Sequence, residues 1–221
     1  MTNISLLFIA AVIDLTVVFI AYRSGTKWLY ATIIINLLLV SVFGTKLISV
    51  FGFITNAANV FYACSFFAVH LLLENKKDKE AVGTIWFGVA FIVFFLAMAL
   101  LIIRLSSFSS TDPVSGALAF LFPLSVRIIM ASLIAYVFSQ YLNIKIYRYL
   151  SKKYNGKHLW FRSGLANIIA QLLDSSLFFT IAFIDLPVDS LMQAIFVSLI
   201  IKSLVVSMGT PYLYMSRGLQ K

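Results

Sequence analysis

Seven stretches of this chain are apolar enough, read in windows of about 19 residues, to cross a lipid bilayer. They cover residues 4–22, 28–48, 54–74, 82–103, 117–142, 163–184 and 190–214. The bilayer interior offers no water to backbone N–H and C=O groups, so runs of this length must close their own hydrogen bonds as helices. The fold class is therefore all-α, a polytopic transmembrane bundle forming a single integral membrane domain over residues 1–221. Composition agrees: 62% of the residues are hydrophobic and only 11% charged, against about 45–50% and 25% in soluble domains. Cys64, the single cysteine, excludes an internal disulfide and reads as a small buried side chain.

Charge placement orients the bundle. With the N-terminus outside, the inner loops and tail collect Arg23, Lys27, Lys76, Lys77, Lys79, Lys145, Arg148, Lys152, Lys153, Lys157, Arg162, Arg217 and Lys221, thirteen of the 17 basic residues. Only Lys46 and Arg104 fall outside. The positive-inside rule thus favours seven spans with a cytoplasmic C-terminus in the cell membrane. It also accounts for the net charge of +9 without any nucleic-acid partner. The connection at Ser106 to Gly116 is serine-rich, a short acidic turn surrounds Pro187, and residues 144–161 read as a basic amphipathic helix leaving the bilayer and turning at Asn155-Gly156.

Ionisable residues inside the membrane cost at least about 2.5 kcal/mol each and mark function by default. Counted at about 1.5 Å per residue, Asp14, Arg127, Asp174 and Lys202 lie roughly 15–18 Å into their spans, near a common midplane. Two acids and two bases at one depth either lock the bundle as salt bridges or wall a hydrated cavity. The cavity is the better reading, because buried ion pairs seldom stabilise more than apolar packing does.

The sixth span carries the clearest pattern: Asn167, Gln171, Asp174 and Phe178 follow the i, i+4, i+7, i+11 spacing of one helix face. Such a ladder presents amide donors, amide acceptors and a carboxylate, which suits a planar heterocycle with both kinds of group on its edge. In the fifth span Tyr136, Gln140 and Asn143 repeat the spacing, with the two amides placed near the interface. Arg127, nine residues before Tyr136, falls on the opposite side of a straight helix. His70 and Glu74 read as a polar pair at a helix end rather than metal ligands, and no cofactor is expected. No phosphate loop, H-E-x-x-H or G-x-S-x-G motif occurs, so neither an enzyme nor an ATPase of these types is indicated.

Several of these residues sit in a recognisable pattern. Leu159-Trp160-Phe161-Arg162, Leu165, Gln171-Leu172-Leu173-Asp174-Ser175, Phe178 and Ile181-Ala182-Phe183 resemble the signature of the queuosine precursor transporter (VUT) family. Arg127, Ala135-Tyr136, Ser139-Gln140, Lys202 and Pro211-Tyr212 fall at matching spacings. The resemblance covers about residues 40–215. It departs at His70 and Asn143, where acidic residues are frequent, and at Ala166-Asn167 in place of a Ser-Thr pair; the first span is an addition to the usual six.

This resemblance implies import of a 7-deazaguanine-like base. Asp174 would accept from its N1–H and amine, Gln171 and Asn167 would pair with the remaining edge, and Phe178 would stack on the ring. Arg127 and Lys202 would balance charge, with Tyr136 and Gln140 lining the inner route. The alternative is the substrate-binding membrane subunit of a larger ATP-driven vitamin or nucleobase importer, with a companion ATPase. Assembly as a homo-oligomer stays open, since the small-xxx-small pair Ala131 and Ala135 is a weak packing signal.

Overall fold

A computed structural model describes residues 2–44, 46–75, 77–106, 112–185 and 187–218, without the side chains of 119–125, 217 and 218. Lys76 and Lys221, counted above among the inner charges, lie outside the described residues, as does the centre of the serine-rich connection. The described chain forms α1 (Asn3–Ser24), α2 (Thr26–Phe43), a hairpin of β1 (Leu47–Val50) and β2 (Phe53–Asn56), α3 (Asn59–Glu74), α4 (Asp78–Ile103), α5 (Pro113–Lys153), α6 (Leu159–Ala182) and α7 (Val188–Gly218).

Helix ends follow local chemistry. The Thr2 hydroxyl caps α1 by accepting from the Ser5 N–H. Asp112 caps α5 by accepting from the N–H groups of Val114 and Ser115, with Pro113 at the first helical position, where its missing donor costs nothing. The Ser115 hydroxyl, followed by these backbone donors, holds the Asp112 carboxyl below its ordinary range. α5 spans 41 residues, about 62 Å. It continues past the apolar region as the basic extension expected from the sequence. It then turns through Asn155, Gly156 and His158, all at positive φ.

Among the described residues six helices are long and apolar enough to cross a membrane, and the protein is a multi-pass membrane bundle. The third expected span, 54–74, differs. Residues 47–56 form a β-hairpin, so the helices expected over 28–48 and 54–74 stop at Phe43 and start at Asn59. Val50 pairs with Phe53 across a two-residue turn, Phe51-Gly52, with both residues at positive φ, the type I′ geometry that matches strand twist. α3 keeps 16 residues, about 24 Å, short of a hydrocarbon layer of about 30 Å.

Packing explains how so short a helix is accommodated. α1, α2, α4, α5, α6 and α7 each contact the next, α7 closes back on α1, and α3 runs up the middle against α7, α2 and α1. Fourteen of its sixteen residues are buried. Between α1 and α2 the filling is mostly apolar, with Leu15, Val18, Leu29 and Ile33, around one buried hydrogen bond from Asn36 to Asp14. On the α7 side a Cβ on Gly209 would stand 2.6 Å from the Phe67 ring, so glycine is what lets the two helices approach. Large apolar side chains such as Ile13, Phe94, Phe138 and Phe196 cover the outside of the ring, as a lipid-facing surface requires. The backbones of α3 and α6 make little direct contact. Polar side chains bridge the gap between them, and the site lies there.

Candidate functional site

Asp174 projects from α6 into this gap and is 2% exposed. Its Oδ1 accepts from the Tyr62 hydroxyl of α3 at 2.5 Å and from the Ser139 hydroxyl of α5 at 3.3 Å. Its Oδ2 accepts from Lys202 Nζ of α7 at 2.6 Å. The ammonium also reaches the Ser175 hydroxyl at 3.4 Å and sits 4.6 Å from the centre of the Tyr62 ring. Four helices therefore converge on one carboxylate. Lys202 is neutralised by the acid and further stabilised by the aromatic face, which is how a lysine at this depth remains compatible with burial.

A recess opens beside this pair, walled by Val40, Asn56, Asn59, Tyr62, Ser132, Asp174, Phe178 and Lys202. Its roughly 300 Å³ of empty space includes the open mouth, and the free interior is no wider than water needs. Asn59, in the first turn of α3, donates to Thr55 Oγ1 at 2.9 Å and to Ser198 Oγ at 2.8 Å. Asn56 donates to the Gly44 carbonyl and accepts from the Ala58 N–H. These contacts pin the hairpin and the start of α3 to α2 and α7. The break that shortens α3 thus places irregular backbone beside a polar recess, the setting in which a membrane tolerates it.

The other sequence-derived candidates divide. Phe178 lines the recess, with the Phe179 and Phe183 rings packed against it. Tyr136 stands behind Tyr62, ring edge to face at 6.2 Å, and directs its hydroxyl to the Thr84 carbonyl. Asn167, Gln171 and Gln140 are buried in the same gap but do not line the recess. Asp174 thus shares the recess with Tyr62, Asn59 and Lys202, while Asn167 and Gln171 lie earlier in α6, outside its lining.

Arg127 is elsewhere. It bonds Asp185 Oδ2 at 3.0 Å and the Ile181 carbonyl, with a side chain 46% exposed. Its depth was measured from a span starting at 117, whereas it sits beside the far end of α6. Asp14 is also separate, on the opposite flank of α3, where it accepts from Asn36 at 3.1 Å and meets the Cys64 thiol. The four ionisable residues therefore do not form one midplane cluster.

At the opposite end of the gap, residues that the sequence placed in loops, at helix ends or at the interface are buried. Arg162 is 1% exposed and donates to Glu74, Ser151 Oγ and the carbonyls of Lys157 and Gly156. The Tyr147 hydroxyl donates to the same Glu74, and its ring lies under the guanidinium. His70 bonds Ser163 Oγ at 2.7 Å and Asn143 Oδ1 at 3.0 Å. Gln140 and Asn143 are fully buried rather than hydrated at an interface. In sequence, Arg162 is indistinguishable from a topology charge, and only the turn at 154–158 folds it inward. Asn59 and Tyr62 carried a readable signal: two polar groups three residues apart within an apolar run.

A ring of lipid-facing helices around a buried, charge-paired recess defines a membrane transporter, and residues 56–216 match one transporter family. The chain belongs to the family described as "Putative vitamin uptake transporter". The "Probable queuosine precursor transporter" of Bacillus subtilis (strain 168) is 28% identical over 225 residues, covering 98% of this chain and 96% of that protein. The match to this relative therefore extends over residues that precede the family match. No solved structure matches the chain.

Proposed function

We propose that the protein imports a 7-deazaguanine-type queuosine precursor across the cell membrane, with the N-terminus outside and the C-terminus cytoplasmic. The observation that carries this reading is the Asp174–Lys202 pair bordering the recess. A 7-deazaguanine edge has adjacent N–H donors and a carbonyl acceptor, and the pair supplies a carboxylate acceptor beside an ammonium donor. In the empty protein both carboxylate oxygens are engaged, by Tyr62 and Ser139 on one side and Lys202 on the other. The ligand therefore exchanges hydrogen bonds with these groups rather than adding to them. The recess widens as it does so, and Phe178 supplies a ring face for stacking.

The description of the Bacillus subtilis relative as a probable queuosine precursor transporter supports the substrate class, and the concentration of basic residues in the loops at the Arg162 end supports the orientation. In cells lacking their own uptake route, expression of the protein is expected to restore accumulation of labelled 7-deazaguanine. Asp174→Ala, at matched membrane abundance, abolishes it. Unchanged accumulation in that variant contradicts the assignment. Purified protein in liposomes is expected to catalyse uptake alone; an absolute requirement for a companion ATPase would favour the importer-subunit alternative.

A further inference from the structure

We infer that Asp14, held by Asn36 and faced by Cys64, is a proton-binding site, and that a proton passing through it drives uptake. The inference rests on the transport reading above and supplies its driving ion. Asp14 stands at the middle of α1 and points inward: it is 8% exposed, while Ile13 and Val17 face outward. Its Oδ1 accepts from Asn36 Nδ2 of α2 at 3.1 Å, and its Oδ2 has no hydrogen-bond partner. Cys64, buried on α3, turns its thiol toward the carboxyl and is the titratable group that faces it. The charged groups of the surrounding helices are remote or engaged elsewhere. Arg23 of α1 and Lys27 of α2 lie nine residues from Asp14 and Asn36 respectively, about 14 Å along each helix. On α3 and α7, Glu74 and Lys202 are paired on the far flank with Arg162 and Asp174, His70 bonds Ser163 and Asn143, and Tyr212 bonds Thr16.

An ionised carboxyl in mid-membrane needs a countercharge, and among the described residues no basic group pairs with Asp14. A proton supplies that charge. It adds to Oδ2, the oxygen that no donor occupies, and the resulting O–H donates to the Cys64 sulfur, a weak acceptor. Sodium does not fit the same donors. Membrane carriers hold that ion with the freed carbonyls of unwound helices, whereas α1, α2 and α3 run unbroken here. The central helix α3 joins this site to the recess. Cys64 and Tyr62 are two positions apart, about 200° around the helix. One side of α3 therefore meets Asp14, and the other gives Asp174 the Tyr62 hydroxyl. In each cycle a proton from the outer solution adds to Oδ2 as the ligand binds, and both leave on the inner side. No bond of the ligand changes.

The test uses liposomes that enclose a pH-sensitive dye, with the membrane potential clamped at zero. In wild type, adding 7-deazaguanine outside is expected to acidify the interior. An inward gradient of about one pH unit should hold about tenfold accumulation, the worth of one proton per ligand. Asp14→Asn keeps the shape of the side chain but binds no proton. It should still exchange labelled for unlabelled 7-deazaguanine, with accumulation reduced to the outside level and no acidification. Dicyclohexylcarbodiimide, which modifies protonated carboxyls in apolar surroundings, is expected to label Asp14 in folded wild type and to stop accumulation, a readout that needs no variant to fold. Wild type that exchanges ligand without moving protons, or that accumulates it only with sodium, overturns the inference and leaves the transport reading standing. So does an Asp14→Asn protein that still accumulates ligand, or an Asp14 that stays unlabelled. Absence of both exchange and ligand-induced thermal shift in wild type overturns the transport reading, and this inference with it.

Discussion

The gap between α3 and α6 holds two buried ion pairs, and they are built differently. Arg162–Glu74 is saturated: the guanidinium also donates to Ser151 and to two carbonyls, and Tyr147 both bonds the carboxylate and stacks on the cation. It does not border the recess. Asp174–Lys202 borders it, and its remaining partners are three side-chain hydroxyls, with no backbone group among the described contacts. Hydroxyls rotate and release, whereas a guanidinium fixed to main-chain carbonyls can leave only if the α5–α6 turn unfolds. The first pair holds the bundle together, and the second is poised to exchange partners.

This contrast is sharpest under substitution. Arg162→Leu leaves Glu74 buried without its cation and frees two carbonyls. It should destabilise the protein by about 3–5 kcal/mol, seen as a collapse of the thermal midpoint and of folded yield in detergent. The paired replacement Asp174→Asn with Lys202→Met should do the reverse, because exchanging a buried pair for neutral groups of similar size is often neutral for stability. Folded yield is expected to hold while uptake falls to background; an unfolded double variant would erase the distinction.

Smaller effects refine the same picture. Tyr62→Phe removes one hydrogen bond to Asp174, worth about 1 kcal/mol net, and should lower uptake roughly fivefold with the thermal midpoint little changed. Arg127→Gln breaks a half-exposed pair at the bundle's end, worth about 0–1 kcal/mol. It should leave uptake unchanged, measured in the same liposomes; a large loss there would return Arg127 to the site.

The sequence made the membrane class plain, because hydropathy acts over whole spans and is insensitive to detail. It also gave the buried face of α6, since Asn167, Gln171, Asp174 and Phe178 share a helical spacing that survives folding. The hairpin at 47–56 escaped because its turn is Phe51-Gly52, without the Asn-Gly or Asp-Gly that marks such turns, and because its strands are as apolar as the helices beside them. Arg162 escaped because a basic residue next to a span looks the same whether it meets headgroups or a buried glutamate. Of the partners of Asp174, Lys202 was legible from its depth and charge, whereas Tyr62 and Ser139 escaped as partners because they come from two other helices and no local spacing relates them. Arg127 was misplaced for a simpler reason: depth counted from the start of a span fails when the helix extends well beyond the bilayer.

Ligand-dependent thermal stabilisation of the purified protein by 7-deazaguanine tests the central claim most directly. Wild type and Arg127→Gln should show the same rise in midpoint, and the Asp174→Asn, Lys202→Met protein should show none while remaining folded. An equal rise in the paired variant would place the ligand away from Asp174 and contradict the account.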